Sequence, residues 1–403
     1  MLASSLVLLA LAFRLTVAQN LSIPSTWRVI RARSAVSIVP YLQFIFDPSL
    51  YSGFGYWQDA NVLSAMANLD YFTISRANQQ AVTDSLNAAF SLYTDYDQYG
   101  VSFYNDDAMW WATAAYYGYR AYGDINLLSH AIETWQHVSN YVITASDASS
   151  GKQPNKDFLI EGSCDGETMV GGVFWRPTSD DTSVNSITTG YDVILFYLKC
   201  AHLVRVNLSA YLTSATGNIT YNNAAILSAN FIKTSNMNSG GLILDSIDAQ
   251  DCTRSPSDWL FTYNSGKYIE GLSVLASVTG NSSWTSLLVD IVAVATKATA
   301  WEGSNGIITE GADITEDNDD VGFKAVLIRG LAEAWSRNIG NTALRTLIQS
   351  YIDFNALLDL ASTSDSGSTW YSPAWEGPGP TSFIAWGQLA AVDVLVSAVR
   401  INS

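Results

Sequence analysis

Two adjacent carboxylates, Asp106 and Asp107, stand in the run Tyr104-Asn105-Asp106-Asp107-Ala108-Met109-Trp110-Trp111. Asn105 is a good N-cap, so the pattern predicts both acids in the first turn of a helix. Such a pair ordinarily only complements the helix dipole. Here Phe103 and Tyr104 precede it and two tryptophans follow, so the acids are expected among aromatics and partly desolvated. Desolvation raises a carboxyl pKa, and two close carboxyls oppose double ionisation. One can then hold its proton near neutral pH while the other is charged. That division of labour suits glycoside cleavage: an acid for the leaving oxygen, and a base or nucleophile at the anomeric carbon.

Further short segments follow in order. They are Tyr56-Trp57-Gln58-Asp59-Ala60, then Gly171-Gly172-Val173-Phe174-Trp175 with Asn185-Ser186-Ile187, then Tyr263-Asn264-Ser265-Gly266, and last Glu310 and Asp320 with Phe323-Lys324 and Arg329. Together they resemble glycoside hydrolase family 76, the endo-α-1,6-mannanases and their fungal cell-wall relatives. The family's Asp-Asp-x-x-Trp-Trp pattern is matched by Asp106 to Trp111. The resemblance covers most of the mature chain. It implies an (α/α)6 barrel and a retaining double displacement, with Asp106 as nucleophile and Asp107 as general acid/base. It also implies α-mannan as the substrate. No cofactor and no metal are expected.

Sugars present apolar C–H faces and hydroxyl edges. Trp57, Trp110, Trp111, Trp175 and Tyr263 are candidate stacking platforms, with core filling as the alternative for each. Gln58, Asp59, Asn185, Asn264 and Asp320 are candidate hydroxyl partners, with capping or loop hydrogen bonds as the alternative. Asp319 and Asp320 can instead cap a helix starting near Val321, and Lys324 and Arg329 can pair with acidic neighbours.

The elements that must position these residues are helices. Helix-length apolar segments recur between Gly/Asn/Ser/Asp loops, near 34–47, 57–72, 78–93, 106–122, 125–142, 186–207, 221–234, 264–278, 284–298, 320–338, 342–360 and 383–400. Asp124 and Asn341 stand as N-caps. The helices come in pairs of roughly 50–60 residues, without an exact repeat and with loops of unequal length. That favours a closed all-α toroid of hairpins over a regular solenoid. The long loops 143–171 and 235–258 are expected on the functional face. No linker divides the chain.

Residues 1–19 read as a secretory signal peptide, with a short apolar run from Leu6 to Phe13. Residues 20–403 then form one catalytic domain. Sequons at Asn20, Asn207, Asn218 and Asn281 fit export. Cys164 and Cys252 lie in polar loops and can pair, whereas Cys200 sits in an apolar helical pattern. A net charge of −17 argues against nucleic acid or an anionic membrane as partner. No later segment has the long charge-free run of a membrane helix. The acid-rich run 316–320 lacks EF-hand spacing and reads as solvated surface. The expectation is a secreted, monomeric protein acting on a polysaccharide. Two alternatives stand beside hydrolysis: cell-wall transglycosylation of mannose-containing anchor glycans, and a non-catalytic carbohydrate-binding toroid.

Overall fold

The computed structural model describes residues 21–24, 54–98, 104–191, 207–312, 319–361, 370–380 and 382–402. The segment 1–19, the helix expected over 34–47, Cys200, Asn20 and residues 316–318 lie outside them. The described helices are α1 (Tyr56–Thr73), α2 (Gln79–Leu92), α3 (Asn105–Tyr122), α4 (Ile125–Val138), α5 (Ala145–Ser150), α6 (Ser186–Tyr191), α7 (Asn207–Thr216), α8 (Ile219–Phe231), α9 (Thr262–Thr279), α10 (Ser282–Ala295), α11 (Asp319–Arg337), α12 (Thr342–Ala361) and α13 (Ala385–Asn402). Most follow the expected spans within a few residues. Three differ. The short α5 is additional, the expected 125–142 helix ends at Val138, and the expected 186–207 helix is described only at its start, as α6.

Helix α1 packs on α3, α3 on α6 and α7, these on α9, α9 on α11, α11 on α13, and α13 returns to α1. The ring therefore closes with six inner positions. Helices α2, α4, α8, α10 and α12 pack outside it, giving an (α/α)6 barrel. Sequence composition sorts the two layers. Of the 18 residues of α1, 13 are buried, and they include Gln58, Asp59, Asn61 and Asn68. The outer α2 buries only Val82, Ser85, Leu86 and Ala89, a single stripe at helical spacing. Glycines let inner helices approach: a Cβ on Gly330 of α11 would sit 2.1 Å from the Gly266 carbonyl oxygen of α9.

The two layers also end differently. Outer helices cap themselves: Asp124, Asn218 and Asn281 accept from backbone N–H groups at the starts of α4, α8 and α10. Asn341 accepts from Leu344 N–H in α12. The inner α1, α3 and α9 have Gly55, Tyr104 and Phe261 at their N-caps and make no side-chain cap. Their N-termini meet tertiary partners instead, and all point to one end of the barrel. Asn105, expected as a cap, is the first residue of α3. Its N–H donates to Trp175 O at 2.8 Å, and its Nδ2 to Phe174 O at 2.9 Å.

At that same end the long loops carry two small antiparallel pairs. Strand β1 (Ser163–Cys164) pairs with β2 (Glu167–Thr168). Strand β3 (Ser183–Asn185) pairs with β4 (Ser246–Asp248), with Asn185 opposite Ser246. A Cys164–Cys252 disulfide joins the two loops. Of the described sequon asparagines, Asn218 and Asn281 are exposed, while Asn207 is fully buried. No helix of the described residues is long and apolar enough to cross a membrane.

Candidate active site

Asp106 and Asp107 occupy the first turn of α3, at the barrel end where the inner helices begin. Asp106 is buried; the Trp175 indole N–H and the backbone N–H groups of the first turn donate to it. Its Oδ1 has no hydrogen-bond partner. Burial outweighs these donors and pushes Asp106 up to about 7, with the Asp245 charge adding to the effect. Asp107 is held well above the usual carboxylate range, first by burial, then by Asp106, Asp319 and Asp97. The two acids thus face different neighbours. Asp106 feels Asp245 and raises Tyr263. Asp107 feels Asp319 and raises Tyr56.

The Asp106 side is built around Asp245, which the sequence reading passed over. Its Oδ1 accepts from Tyr263 OH and Asn264 Nδ2, each at 3.1 Å, and its Oδ2 accepts from Asn185 Nδ2 at 3.2 Å. The β3–β4 pairing sets Asn185 beside Asp245, and Asn185 Oδ1 in turn accepts from Ile187 N–H at 2.9 Å, starting α6. Burial raises the Asp245 pKa despite these three donors. Below it, Glu310 accepts from the N–H and the hydroxyl of Thr262 and so caps α9. Burial pushes Glu310 up to about 7 as well.

The Asp107 side is formed by α1 and α11. Trp57 Nε1 and Gln58 Nε2 both donate to Asp319 Oδ1 at 2.9 Å. Asp319, not its neighbour Asp320, makes this link. Asp320 is exposed at the start of α11, with its pKa raised by burial and by Asp319. Gln58 is buried and its Oε1 has no partner. Asp59 is buried one step along α1.

Aromatic rings line the floor and walls. Trp57 lies 5.2 Å from buried Trp110 and 5.9 Å from Phe323, and Phe323 stacks on Tyr263 at 4.0 Å. Trp110 is underpinned by Lys267 Nζ, 4.9 Å from its ring centre. Trp175 contacts Tyr104 and carries Arg176 at 4.6 Å. Trp111 points the other way. It is fully buried between Tyr56 and Tyr96, and its indole donates to Tyr56 O at 3.0 Å; its ring belongs to the core between the helix layers. Lys324 and Arg329 are also committed internally. Lys324 Nζ donates to the Glu310 and Pro373 carbonyls. Arg329 pairs with Asp393 at 3.1 Å.

The family model for glycosyl hydrolase family 76 matches residues 155–398. The chain belongs to glycosyl hydrolase family 76. No curated protein matches it. Among solved structures, it is similar to the α-1,6-mannanase GH76A of Salegentibacter sp. HEL1_6, at 18% identity and a TM-score of 0.66 over 87% of this chain and 91% of that one. An inactive variant of that mannanase, changed at two consecutive aspartates, is solved in complex with α-1,6-mannotriose. Dfg5 from Chaetomium thermophilum, in complex with glucosamine, matches at 14% identity and a TM-score of 0.65 over 88% and 84%. The family 76 mannosidase Bt3792 of Bacteroides thetaiotaomicron matches at 16% and 0.54 over 87% and 90%. At these identities the likeness is one of fold, and it agrees with the barrel described above.

Proposed function

We propose that this family 76 chain is a hydrolase that cleaves α-1,6-mannosidic linkages by a retaining double displacement. The observation that carries the reading is the adjacent pair of acids, Asp106 buried and Asp107 half-buried, both raised, with Asp106 Oδ1 left unpartnered. Asp107, raised by burial and by the carboxylates of Asp106, Asp319 and Asp97, holds its proton for the leaving oxygen. Asp106, bonded by Trp175 and by the helix N-terminus, ionises first and attacks the anomeric carbon. Once the leaving group departs, Asp107 is the base that draws a proton from water, and water releases the sugar from Asp106. Trp57, Trp175 and Tyr263 present ring faces, and Gln58 Oε1 and Asn264 Oδ1 are amide oxygens without a partner, for the sugar units on either side, while Trp110 supports Trp57 from below. The mannotriose-bound mannanase with its two changed aspartates supports the substrate class and the pair.

The disulfide fits an oxidising compartment. With the apolar run Leu6–Phe13, it supports a secreted protein cut after the signal segment. Transfer to a sugar hydroxyl in place of water is the second reading. It is kept by the fold shared with Dfg5, a glucosamine-binding neighbour. Incubation of the purified protein with linear α-1,6-mannan tests both. Hydrolysis yields shorter oligomers whose new ends first appear in the α configuration. Transfer yields products longer than the acceptor supplied. Inverted products, or an unchanged polymer with and without acceptor, would remove the mechanism.

A further inference from the structure

We propose that Trp259 is an outlying sugar platform that takes a pyranose unit of the polysaccharide well away from the cleavage point, and so makes the enzyme prefer long chains. The proposal rests on the hydrolase reading for its substrate. An aromatic path leads from the acids to this residue. Trp57 is followed by Phe323 at 5.9 Å, Phe323 by Phe261 at 5.4 Å, and Phe261 by Trp259 at 6.3 Å. Successive rings are tilted by 32°, 58° and 36°. Exposure rises outward. Phe323 is 8% exposed, Phe261 is half-buried, and Trp259 is 48% exposed.

Leaving an indole half in water forgoes much of the gain of burying it. Trp111, Trp135, Trp301 and Trp375 take that gain and are fully buried; Trp370, 40% exposed, is the other exposed indole among the described residues, and it packs on Phe383, off this aromatic path. The backbone under Trp259 is also held. Its N–H donates to Pro256 O at 2.9 Å, and the next carbonyl, Leu260 O, accepts from the Trp301 indole. Arg254 Nε donates to Ser235 O at 2.7 Å, and the Cys164–Cys252 disulfide closes the base of the loop. A ring exposed on a fixed backbone is preorganised to stack. The occupant is the substrate chain itself, because the path is continuous with the cleft. An uncharged sugar also suits a strongly acidic protein of net charge −17.

The test is Trp259→Ala, with Trp259→Phe beside it. On linear α-1,6-mannan the Ala variant is expected to lose about tenfold in kcat/KM, through KM. On α-1,6-mannotriose, too short to reach the platform, it matches the parent. The Phe variant recovers most of the loss. Equal effects on both substrates, or none on the polymer, overturn the proposal. Electrophoresis through mannan-containing gels, using Asp107→Asn protein, separates this from failure of the hydrolase reading. There the added Trp259→Ala change must weaken retardation; unchanged retardation overturns the platform whether or not the parent cleaves. A parent that elutes as a dimer and becomes monomeric on Trp259→Ala overturns it too, since a second copy then covers the ring.

Discussion

The two ends of the inner-helix ring bury charge in opposite ways. At the far end, Glu333 of α11 accepts from Arg337 Nε and Arg400 Nη1 at 2.6 Å each, with Arg120 Nη1 at 3.5 Å. These three arginines hold it well below the usual carboxylate range despite full burial. Deeper in the ring, Glu270 accepts from Tyr117 and Tyr211 hydroxyls and from Lys267 Nζ, and it too is lowered. Asp393, with Arg329 at 3.1 Å and Lys267 also lowering it, stays raised by burial and by the Glu270 charge. At the cleft end Asp106, Asp107, Asp245 and Glu310 are all raised by burial. Their partners are mainly neutral N–H and O–H groups and the N-termini of inner helices, which contribute only partial charge. Burial is common to both ends, and the supply of cations decides the protonation. The far end is built to hold the ring, whereas the cleft end keeps protons available for chemistry.

The strongest way to break this contrast is at the acids themselves. Asp106→Asn and Asp107→Asn are each expected to cut turnover on α-1,6-mannan by at least about a thousandfold. Neither removes a cation's partner, so thermal unfolding should move little, or upward as a buried repulsion disappears. Near-parent turnover in either variant, measured by reducing-end release, would sink the assigned roles.

Glu333→Gln probes the other end. It leaves Arg120, Arg337 and Arg400 without their carboxylate, which costs about 3–5 kcal/mol for a buried pair broken on one side. The loss is read as a lower denaturation midpoint, while turnover per folded molecule is kept. The pH dependence has a definite sign. Glu333 is lowered when folded, so its stabilisation is full above the unfolded value near 4.5 and is lost as pH falls below it. The parent should lose stability on acidification through that range, and the Gln variant should lose less. The raised cleft acids act oppositely: they bind protons in the fold that the unfolded chain releases, so they erode stability as pH rises from about 4 to 7.

The fold was legible in the sequence: helix-length apolar segments in pairs, with loops of unequal length, give the closed toroid. What stayed hidden depends on helix phase and on distant pairing. Adjacent residues on a helix point about 100° apart. Trp110 therefore packs under Trp57 while Trp111 packs between Tyr56 and Tyr96, and of two exposed acids Asp319 rather than Asp320 reaches Trp57 and Gln58. A doublet in the sequence does not say which member faces inward. Asp245 had no local signal at all. It lies in a loop far from α3 in the chain, and only the β3–β4 register brings it beside Asn185.

Asp245 also offers the finest test. Its charge raises Asp106, though it ranks behind burial. Asp245→Asn should therefore move the acid limb of kcat/KM, near pH 7 in the parent, to lower pH. The shift should be under about one unit, because Asp245 is itself raised by burial and its charge is incomplete where Asp106 titrates. An amide oxygen at the Oδ1 position keeps the bonds from Tyr263 and Asn264, and only the one from Asn185 is lost. A uniform fall in rate with an unmoved limb would mean that Asp245 only holds Tyr263 and Asn264 in place. A limb moving to lower pH means that the cleft end depends on its like charges to keep Asp106 protonated, as the far end depends on its arginines to keep Glu333 ionised.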